Sequence, residues 1–425
     1  MIDIRWLRDA PETARAVLGR RRNPAVGPLL DQALRLDSQR REWLQQVERL
    51  KAERNTASTE VGRLKQQGKE AGERLGQLKV LSETIKKLDQ DLRGVEDELT
   101  KVLLQIPNPT LDDVPDGDAT ANRVIRSWGD PPKPAFQPKP HWELGERLGL
   151  MDLPRGAKLT GSGFPLFAGK GARLVRALMS FMLDLHTREH GYTEVWPPLL
   201  VNRDSAQGTG QLPDLESNMY VTEDGFYLIP TAEVPVTNIH RDEILAATQL
   251  PRAYVAYTPC FRREAGAHGK DTRGLIRIHQ FDKVELVRLC EPSRSAEEHT
   301  KLLGHAEAVL QRLGLPYRVV LLASGDLGFA SAKTYDLEVW AAGVGTWLEA
   351  SSASCFTDFQ ARRANIRYRP TPDAKPDFVH TLNASGVAFP RTLIALLENN
   401  QQADGSVRLP EALVPYFGEE VLRVP

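Results

Sequence analysis

The chain has 425 residues with 55 Lys and Arg, 56 Asp and Glu, and a formal net charge of -1. This length allows two domains, and the balanced charge excludes a general attraction to nucleic acid, so any RNA contact must be local. The three cysteines lack CxxC spacing, which argues against a disulfide scaffold or a cysteine metal site and indicates a reducing, cytoplasmic location. The chain starts without a signal-peptide pattern, and no apolar run approaches about 20 residues, so we expect no membrane span.

The N-terminal region carries a heptad pattern. Over residues 29–64, apolar side chains recur alternately every four and three residues, interrupted by Arg40 and Arg54. A glycine-bearing break at 66–72 follows, and a similar spacing returns over 75–106. The pattern predicts an antiparallel helical hairpin with arms of about 50 Å, at about 1.5 Å per residue. Periodicity alone favours a dimerising coiled coil or a spacer.

The remainder of the chain has a mixed character. Residues 107–140 are rich in Pro, Asp and Gly and predict a connector with little packing of its own. Helical and strand patterns then alternate to the C-terminus, as in an α+β domain. We therefore divide the chain into an N-terminal helical arm (1–106), a connector (107–140) and a larger domain (141–425).

The most informative stretch spans residues 257–285. A buried strand pattern is followed by a mobile, glycine-bearing loop over 264–274, and alternation from 275 predicts a returning antiparallel strand. This arrangement would bring four charged side chains to one surface: Arg262, Glu264, Arg277 and Glu285. By itself it is either a solvated hairpin with cross-strand ion pairs or an anion site, in which guanidinium groups bind phosphates and Phe281 stacks on a base.

Three segments carry a family resemblance. FRREAG and RGLIRIHQFDKVE closely resemble motif 2 of the class II aminoacyl-tRNA synthetases, in the form found in seryl-tRNA synthetases. A helix pattern followed by GYTEVWPPLL resembles motif 1, and HTLNASGVAFPRTLIALLENNQ resembles motif 3. The resemblance covers essentially the whole chain. It implies an α+β fold with an antiparallel sheet flanked by helices, preceded by the helical hairpin, and a homodimer formed through motif 1.

The resemblance also implies an activity. The chain would be a serine–tRNA ligase that activates L-serine with ATP to seryl-adenylate and transfers it to the 3′ end of tRNA(Ser), with tRNA(Sec) left open as a second acceptor. Its helical arm would reach the long variable arm of the tRNA, and its larger domain would be catalytic. The serine carboxylate is already ionised, so catalysis would come from positioning and charge stabilisation rather than from a general base.

Individual residues receive roles from the same resemblance. Serine would contact Thr231, Ala232, Glu233, Arg262, Glu285, Asn383 and Ser385. ATP would contact Arg262, Arg263, Glu264, Arg277, Ile278, Phe281, Glu349, Ala350, Ser351, Ser352 and Arg391. The catalytic residues would be Arg262, Glu264 and Arg391. Glu349 and Ser352 would hold Mg²⁺ with ATP, and Glu233 would balance the ammonium charge of serine.

Several alternatives stay open from the residues themselves. Taken without the resemblance, the SSAS segment at 351–354 favours a strand end followed by a helix cap. For the whole chain, the alternatives are another class II synthetase (threonyl or prolyl), a related ligase that charges a carrier protein, and a non-catalytic coiled-coil scaffold.

Overall fold

The computed structural model describes residues 1–265 and 273–424. The chain separates into two units. One comprises Ile2–Gly19 and Asn23–Pro107, and the other comprises Met1, Arg20–Arg22 and the described part of Asn108–Pro425. Most of the loop predicted over 264–274 lies outside the described residues.

The first unit is an all-helical hairpin with two short leading helices. Its helices are α1 (Ile4–Asp9), α2 (Pro11–Gly19), α3 (Val26–Gln66) and α4 (Gly72–Leu104). Ion pairs join Lys51 to Asp89 (3.0 Å) and Glu60 to Arg74 (3.3 Å). Because the later residue of α3 pairs with the earlier residue of α4, the two helices run antiparallel, which confirms the predicted hairpin.

The predicted apolar stripes form the contact between α3 and α4. Their most buried members are Ala33, Leu36, Val47, Val61, Ile85, Leu92, Val95, Leu99 and Val102. The break also falls where the glycines predicted it, between the end of α3 and the start of α4. At 41 residues, α3 is about 60 Å long and exceeds the predicted arm length.

The second unit contains the remaining helices and all strands of the described chain. Its helices are α5 (His141–Arg147), α6 (Leu153–Thr160), α7 (Lys170–Arg188), α8 (Arg203–Gly208), α9 (Glu233–Thr237), α10 (Ser295–Arg312), α11 (Phe359–Ala364), α12 (Phe389–Asn399) and α13 (Val414–Phe417). Its strands are β1 (Arg123–Trp128), β2 (Thr193–Glu194), β3 (Leu200–Val201), β4 (Tyr227–Leu228), β5 (Ile244–Ala246), β6 (Arg252–Phe261), β7 (Gln280–Cys290), β8 (Tyr317–Leu321), β9 (Lys333–Ala341), β10 (Thr346–Thr357), β11 (Arg367–Arg369), β12 (Asp377–Phe378), β13 (His380–Ala388), β14 (Val407–Arg408) and β15 (Val421–Leu422).

An eight-stranded sheet organises this unit, in the order β1-β8-β9-β10-β13-β7-β6-β2. Its strand pairs are antiparallel except for β2 with β6. The amphipathic helices α7, α10 and α12 bury their apolar faces in the same core as the sheet, including Leu178, Leu310 and Ile394. Each such side chain contributes about 1.5–3 kcal/mol through burial. The predicted α+β fold, an antiparallel sheet flanked by helices, is confirmed.

The returning strand of motif 2 starts later than predicted. The prediction placed its start at residue 275, but β7 begins at Gln280. The residues before it form hydrogen bonds elsewhere: Leu275 N donates to His141 Nε2 (2.9 Å), and His279 N donates to the carbonyl of Gly163 (2.8 Å). The carbonyl of His279 still accepts from Arg262 N (2.8 Å), but the N–H groups of Leu275 and His279 bond outside the sheet, so the alternating pattern placed the start of the strand too early.

Two further segments differ from expectation. The connector packs more than its composition predicted, because it supplies the edge strand β1 and the amide of Asn108 donates to the carbonyls of Ala330 and Phe356. The SSAS segment lies inside β10 and therefore does not cap a helix. Within residues 1–265 and 273–424, none of the helices combines the length and the apolar character that crossing a membrane requires.

Candidate active site

A cavity of about 620 Å³ lies over the central strands of the sheet. Most residues predicted from the sequence line it: Thr231, Glu233, Arg262, Glu264, Arg277, Ile278, Phe281, Glu285, Glu349, Ala350, Ser352, Asn383, Ser385 and Arg391. Among the described residues, three predicted site residues are not part of this lining. Ala232 and Ser351 are buried next to lining residues, whereas the side chain of Arg263 is exposed.

Sheet register explains how distant motifs meet at one end of the cavity. Ser385 of β13 pairs directly with Glu285 of β7. Side chains two residues apart on a strand share a face, so Asn383 and Lys283 join the same surface. Strands from motifs 2 and 3 thereby supply four polar groups to a single patch, which we call the polar pocket.

The polar pocket is a buried, internally bonded network. Glu285 is 1% exposed and accepts hydrogen bonds from Asn383 Nδ2 (3.1 Å) and Thr231 Oγ1 (3.1 Å). Lys283 forms an ion pair with Glu285 and donates to Thr231 Oγ1 (2.9 Å). These bonds hold Lys283, Glu285 and Asn383 in one orientation before any ligand arrives. Because such burial is costly for an unpaired charge, the carboxylate and ammonium depend on each other.

Glu233 is a second buried carboxyl group in the cavity wall. Gln360 Nε2 donates to Glu233 Oε1 (2.6 Å), and Thr381 Oγ1 in turn donates to Gln360 Oε1 (2.7 Å). Burial, with a further contribution from the nearby charge of Glu285, raises the pKa of Glu233 to about 7. A cationic ligand group would relieve this destabilisation of the carboxylate, so the site favours an ammonium.

Arg262 lies immediately after β6. Its guanidinium carbon is 5.1 Å from the centroid of the Phe281 ring, and its Nε donates to the carbonyl of Pro230 (3.4 Å). The aromatic face and the carbonyl hold the cation at the cavity wall. This placement leaves a fork of N–H donors available for an anionic ligand.

Two arginine–glutamate pairs mark the more open part of the cavity. Arg277 Nη1 is 2.7 Å from Glu264 Oε2, and Arg391 Nη1 is 3.4 Å from Glu349 Oε2. The Arg277 and Glu349 side chains are 43% and 47% exposed. Their partners Glu264 and Arg391 are 17% and 26% exposed, so each pair is partly exposed to water and both arginines can turn to a phosphate.

A bulge delivers Arg391 to this region. The β13–β7 register shifts after Ser385, and Val387 has a positive φ of 91°. Strained backbone of this kind is costly and persists where the surrounding fold imposes it. Here it turns β13 into α12, which places Arg391 in the first helical turn, beside backbone N–H groups suited to anions.

An acidic group adjoins the Arg391–Glu349 pair. Ser352 Oγ donates to Glu349 Oε1 (3.0 Å), and Ser352 lies opposite Asp336 in the β9–β10 register. Asp336 Oδ1 is buried without a hydrogen-bond partner in the described chain. Burial and the charge of Glu349 raise the pKa of Asp336. Two close carboxyl groups and a hydroxyl are a donor set suited to a divalent cation.

The sequence analysis did not propose every residue at the site, and three polar ones that it missed are Lys283, Asp336 and Gln360. Lys283 had a usable signal, since it lies two positions before Glu285 on a predicted strand and must share its face. Asp336 had a weaker signal from the alternation of its own strand. Gln360 had none, because it reaches Glu233 from α11, 127 positions along the chain.

Comparisons with known proteins agree with this geometry. Residues 1–110 match the family model described as seryl-tRNA synthetase N-terminal domain, and residues 219–400 match tRNA synthetase class II core domain (G, H, P, S and T). A serine–tRNA ligase of Gemmatimonas aurantiaca is 55% identical over 99% of this chain and 100% of its own length. One of Halothermothrix orenii is 57% identical over 100% of both chains.

A solved structure extends the agreement to three dimensions. The crystal structure of seryl-tRNA synthetase from Pyrococcus horikoshii complexed with ATP has a TM-score of 0.94, 39% identity and 100% coverage of both chains. Sequence identity, two family models and the fold therefore agree over both units. The chain belongs to the seryl-tRNA synthetase family.

Proposed function

We propose that this chain is a serine–tRNA ligase, which joins L-serine to the 3′ end of tRNA(Ser) in two steps through seryl-adenylate. One observation carries the proposal above the others: a preformed polar pocket, lined by buried groups that can bind a hydroxyl, adjoins three arginines around one cavity. The serine–tRNA ligases of Gemmatimonas aurantiaca and Halothermothrix orenii, which align over essentially the full length, support the same activity.

The polar pocket accounts for selectivity. The serine hydroxyl would bind among Glu285, Asn383 and Ser385, while Glu233 would balance its ammonium and Thr231 would complete the wall. Alanine would leave these buried polar groups unpaired, which a site built for a hydroxyl rejects strongly. The extra methyl of threonine would have to be excluded by packing, a weaker discrimination. Lys283 adds rigidity because it fixes both Glu285 and Thr231.

Arg262 would join the two substrates. From its position just after the end of β6, its guanidinium would bind the serine carboxylate and the α-phosphate together. A carboxylate oxygen would then attack the phosphorus, and pyrophosphate would leave. Its positive charge would stabilise the charge that accumulates on the phosphoryl oxygens. Glu264 would accept from the adenine amino group, Phe281 would stack on the ring, and the backbone at Ile278 would border the nucleotide.

Arg277 and Arg391 would bind the remaining phosphates, Arg391 also covering the adenine. The Pyrococcus horikoshii enzyme was crystallised in complex with ATP, which supports ATP as a ligand of this chain as well. Glu349, Ser352 and Asp336 would hold Mg²⁺ with ATP, since the unpartnered oxygen of Asp336 fits a cation. The metal would neutralise phosphate charge. In the described chain, no cluster of three or more His, Cys, Asp or Glu side chains could hold a metal by itself, so phosphate oxygens would complete its coordination.

The helical hairpin would serve as the tRNA-binding arm. We assign residues 1–106 to this arm, 107–140 to the connector and 141–425 to the catalytic domain. An elongated pair of helices with cations spaced along it can contact RNA through shape and backbone, as helical RNA is commonly recognised. Charging of tRNA(Sec), bound through the same arm, is a separate outcome of the experiment below.

We also propose a cytoplasmic homodimer. Trp196, in the segment after α7 that resembles motif 1, is 75% exposed, and Leu200 is 47% exposed. Apolar side chains of this size are normally covered, and a second copy would cover them. Cys260, Cys290 and Cys355 are buried thiols without disulfides, as suits a reducing compartment. Sedimentation of the wild type and of Trp196→Asp tests the dimer.

Amino-acid-dependent ATP–pyrophosphate exchange with all twenty amino acids tests the activity, followed by charging of total tRNA. Serine should support exchange, and serine-accepting tRNAs should be charged. Exchange that depends on threonine or proline instead would favour a different class II synthetase. Charging of a carrier protein without tRNA charging would favour the related ligase.

A further inference from the structure

The segment HWELGE at the start of α5 has no role in the site described above. Its first residue, His141, is completely buried, with 0% exposure. The Nδ1 atom of its ring lies 2.8 Å from Glu398 Oε1, and its Nε2 atom accepts a hydrogen bond from Leu275 N (2.9 Å). Leu275 precedes Arg277 by two residues, and Glu398 lies near the end of α12, whose first turn carries Arg391. The imidazole therefore bridges motif 2 and motif 3.

Glu398 is bound so that both of its oxygens must accept. Oε1 accepts from the backbone and the ring of His141 (both 2.8 Å), while Oε2 accepts from Gly343 N (2.7 Å) and Val344 N (3.0 Å). Four donors surround one carboxylate that is 1% exposed. A glutamine would turn an N–H group toward other donors, so the carboxylate is required.

The two hydrogen bonds of the ring define its protonation. Since Leu275 N–H donates to Nε2, that nitrogen carries a lone pair, and the proton resides on Nδ1, where it is donated to Glu398. His141 is thus a neutral imidazole with one donor and one acceptor. It holds the backbone of Leu275 at a fixed distance from α12.

Two further contacts hold the same return segment of motif 2. Gly274 has a φ of +67°, and a Cβ at this position would overlap His141 Nε2. The guanidinium carbon of Arg273 is 4.4 Å from the ring centroid of Trp142, the next residue of α5. Backbone, glycine and cation–π contacts therefore all converge on the two residues that open α5.

We propose that His141 and Glu398 are positioning residues for ATP binding. They set the return segment of motif 2 against α12, so that Arg277 and Arg391 face the same phosphates. Neither residue lines the cavity, and their contacts do not include the polar pocket. The inference rests on the proposed function only in naming the ligand as ATP. It predicts that variants of these residues weaken the binding of ATP and leave the binding of serine unchanged.

The test compares His141→Ala and His141→Gln with the wild type in serine-dependent exchange. His141→Ala should raise the KM for ATP about tenfold and lower kcat, as expected when a buried hydrogen bond is lost. The KM for serine should change by less than about twofold. His141→Gln should recover part of the ATP effect because its amide oxygen can accept from Leu275 N–H. Equal rises in both KM values, or no change in the KM for ATP, would overturn the proposal.

His305→Ala is the matched control. The ring of His305 is bonded to the Tyr192 hydroxyl (3.1 Å) away from the cavity lining, so its loss should leave both KM values near those of the wild type. ATP binding by titration calorimetry gives the same comparison without turnover. A wild type that binds ATP but lacks serine-dependent exchange would refute the proposed function, while an unchanged ATP Kd in His141→Ala would refute the positioning role.

Two glycine-to-alanine variants provide the test if His141→Ala fails to fold. Gly274→Ala and Gly314→Ala carry similar backbone strain, with φ values of +67° and +62°, but a Cβ at Gly314 meets no atom within 4 Å. Gly274→Ala should therefore raise the Kd for ATP about tenfold, whereas Gly314→Ala should not. Equal effects of the two variants would contradict the proposal.

Discussion

The two ends of the cavity are built differently. At the polar pocket, Glu285 and Lys283 are 1% and 5% exposed, lie on a central strand, and are bonded to neighbouring side chains. At the phosphate end, Arg277 lies in the segment that precedes β7, and Arg391 lies in the first turn of α12. Each forms a partly exposed ion pair with a glutamate. The first end is complete without its ligand, and the second has charges that must change partners.

This difference suits the chemistry of each substrate. Selecting serine against alanine depends on buried polar groups that cannot relax, so rigidity at that end is useful. ATP is identified by a large ring and a highly charged tail, which arginines in partly exposed ion pairs can bind. Substitutions at the two ends should therefore have effects that differ in kind as well as in size.

The largest effect is expected at Arg262, where the two ends meet. Arg262→Ala should lower serine-dependent pyrophosphate exchange by about 10³-fold or more, because the charge developing on the α-phosphate loses its main stabilisation. Arg263→Ala is the neighbouring comparison and should lose far less, since that side chain is exposed and outside the cavity lining. Similar losses in both variants would contradict the assigned roles.

Lys283→Met should test the rigidity of the polar pocket through stability. The change leaves the Glu285 carboxylate buried without its counter-charge, which should lower the free energy of unfolding by about 3–5 kcal/mol. Urea unfolding measures the loss. The double variant Lys283→Met/Glu285→Gln should regain most of the stability without regaining serine activation. A single variant within about 1 kcal/mol of wild type would show that the pair is not a structural unit.

The pH dependence of serine binding should report Glu233. Its pKa of about 7 means that the carboxyl is protonated in the empty site below that pH and must ionise to bind an ammonium. The kcat/KM for serine should therefore fall about tenfold per pH unit below 7 and level off above it. Glu233→Gln should lack this inflection. A profile of the wild type that is flat from pH 6 to 8 would contradict the prediction.

The raised pKa of Glu233 makes stability change with pH in the direction opposite to serine binding. The carboxyl ionises at its ordinary pKa of 4.5 in the unfolded chain and near 7 in the folded one. Between these values the folded state binds more protons, so this group makes the free energy of unfolding fall as pH rises from about 4.5 to 7. Above pH 7 its contribution is constant.

The smallest effect is expected at Arg277. Arg277→Ala should raise the KM for ATP about tenfold through one lost charged hydrogen bond, with the KM for serine unchanged. Its ion pair with Glu264 is partly exposed, so the free energy of unfolding should change by less than about 1 kcal/mol. A large stability loss would show that the phosphate end is as rigid as the polar pocket.

The sequence predicted the fold, and most of the site residues that it proposed line the cavity, because its signals are local or repeated. The heptad spacing predicted α3 and α4, and the three motifs placed Arg262, Glu285 and Arg391 on elements that the structure brings together. Contacts between distant segments carried no such signal. Gln360 and His141 act across 127 and 257 positions, and only the folded sheet shows what they touch. Alternation also failed at residues 275–279, which precede the start of β7.

The ratio of kcat/KM for serine to that for alanine in pyrophosphate exchange tests the central claim most directly. A rigid polar pocket that pairs with the serine hydroxyl should reject alanine by about 10⁴-fold or more. Rejection of alanine by less than about 10²-fold would mean that these buried groups do not bind the hydroxyl, and the account of this cavity would be wrong.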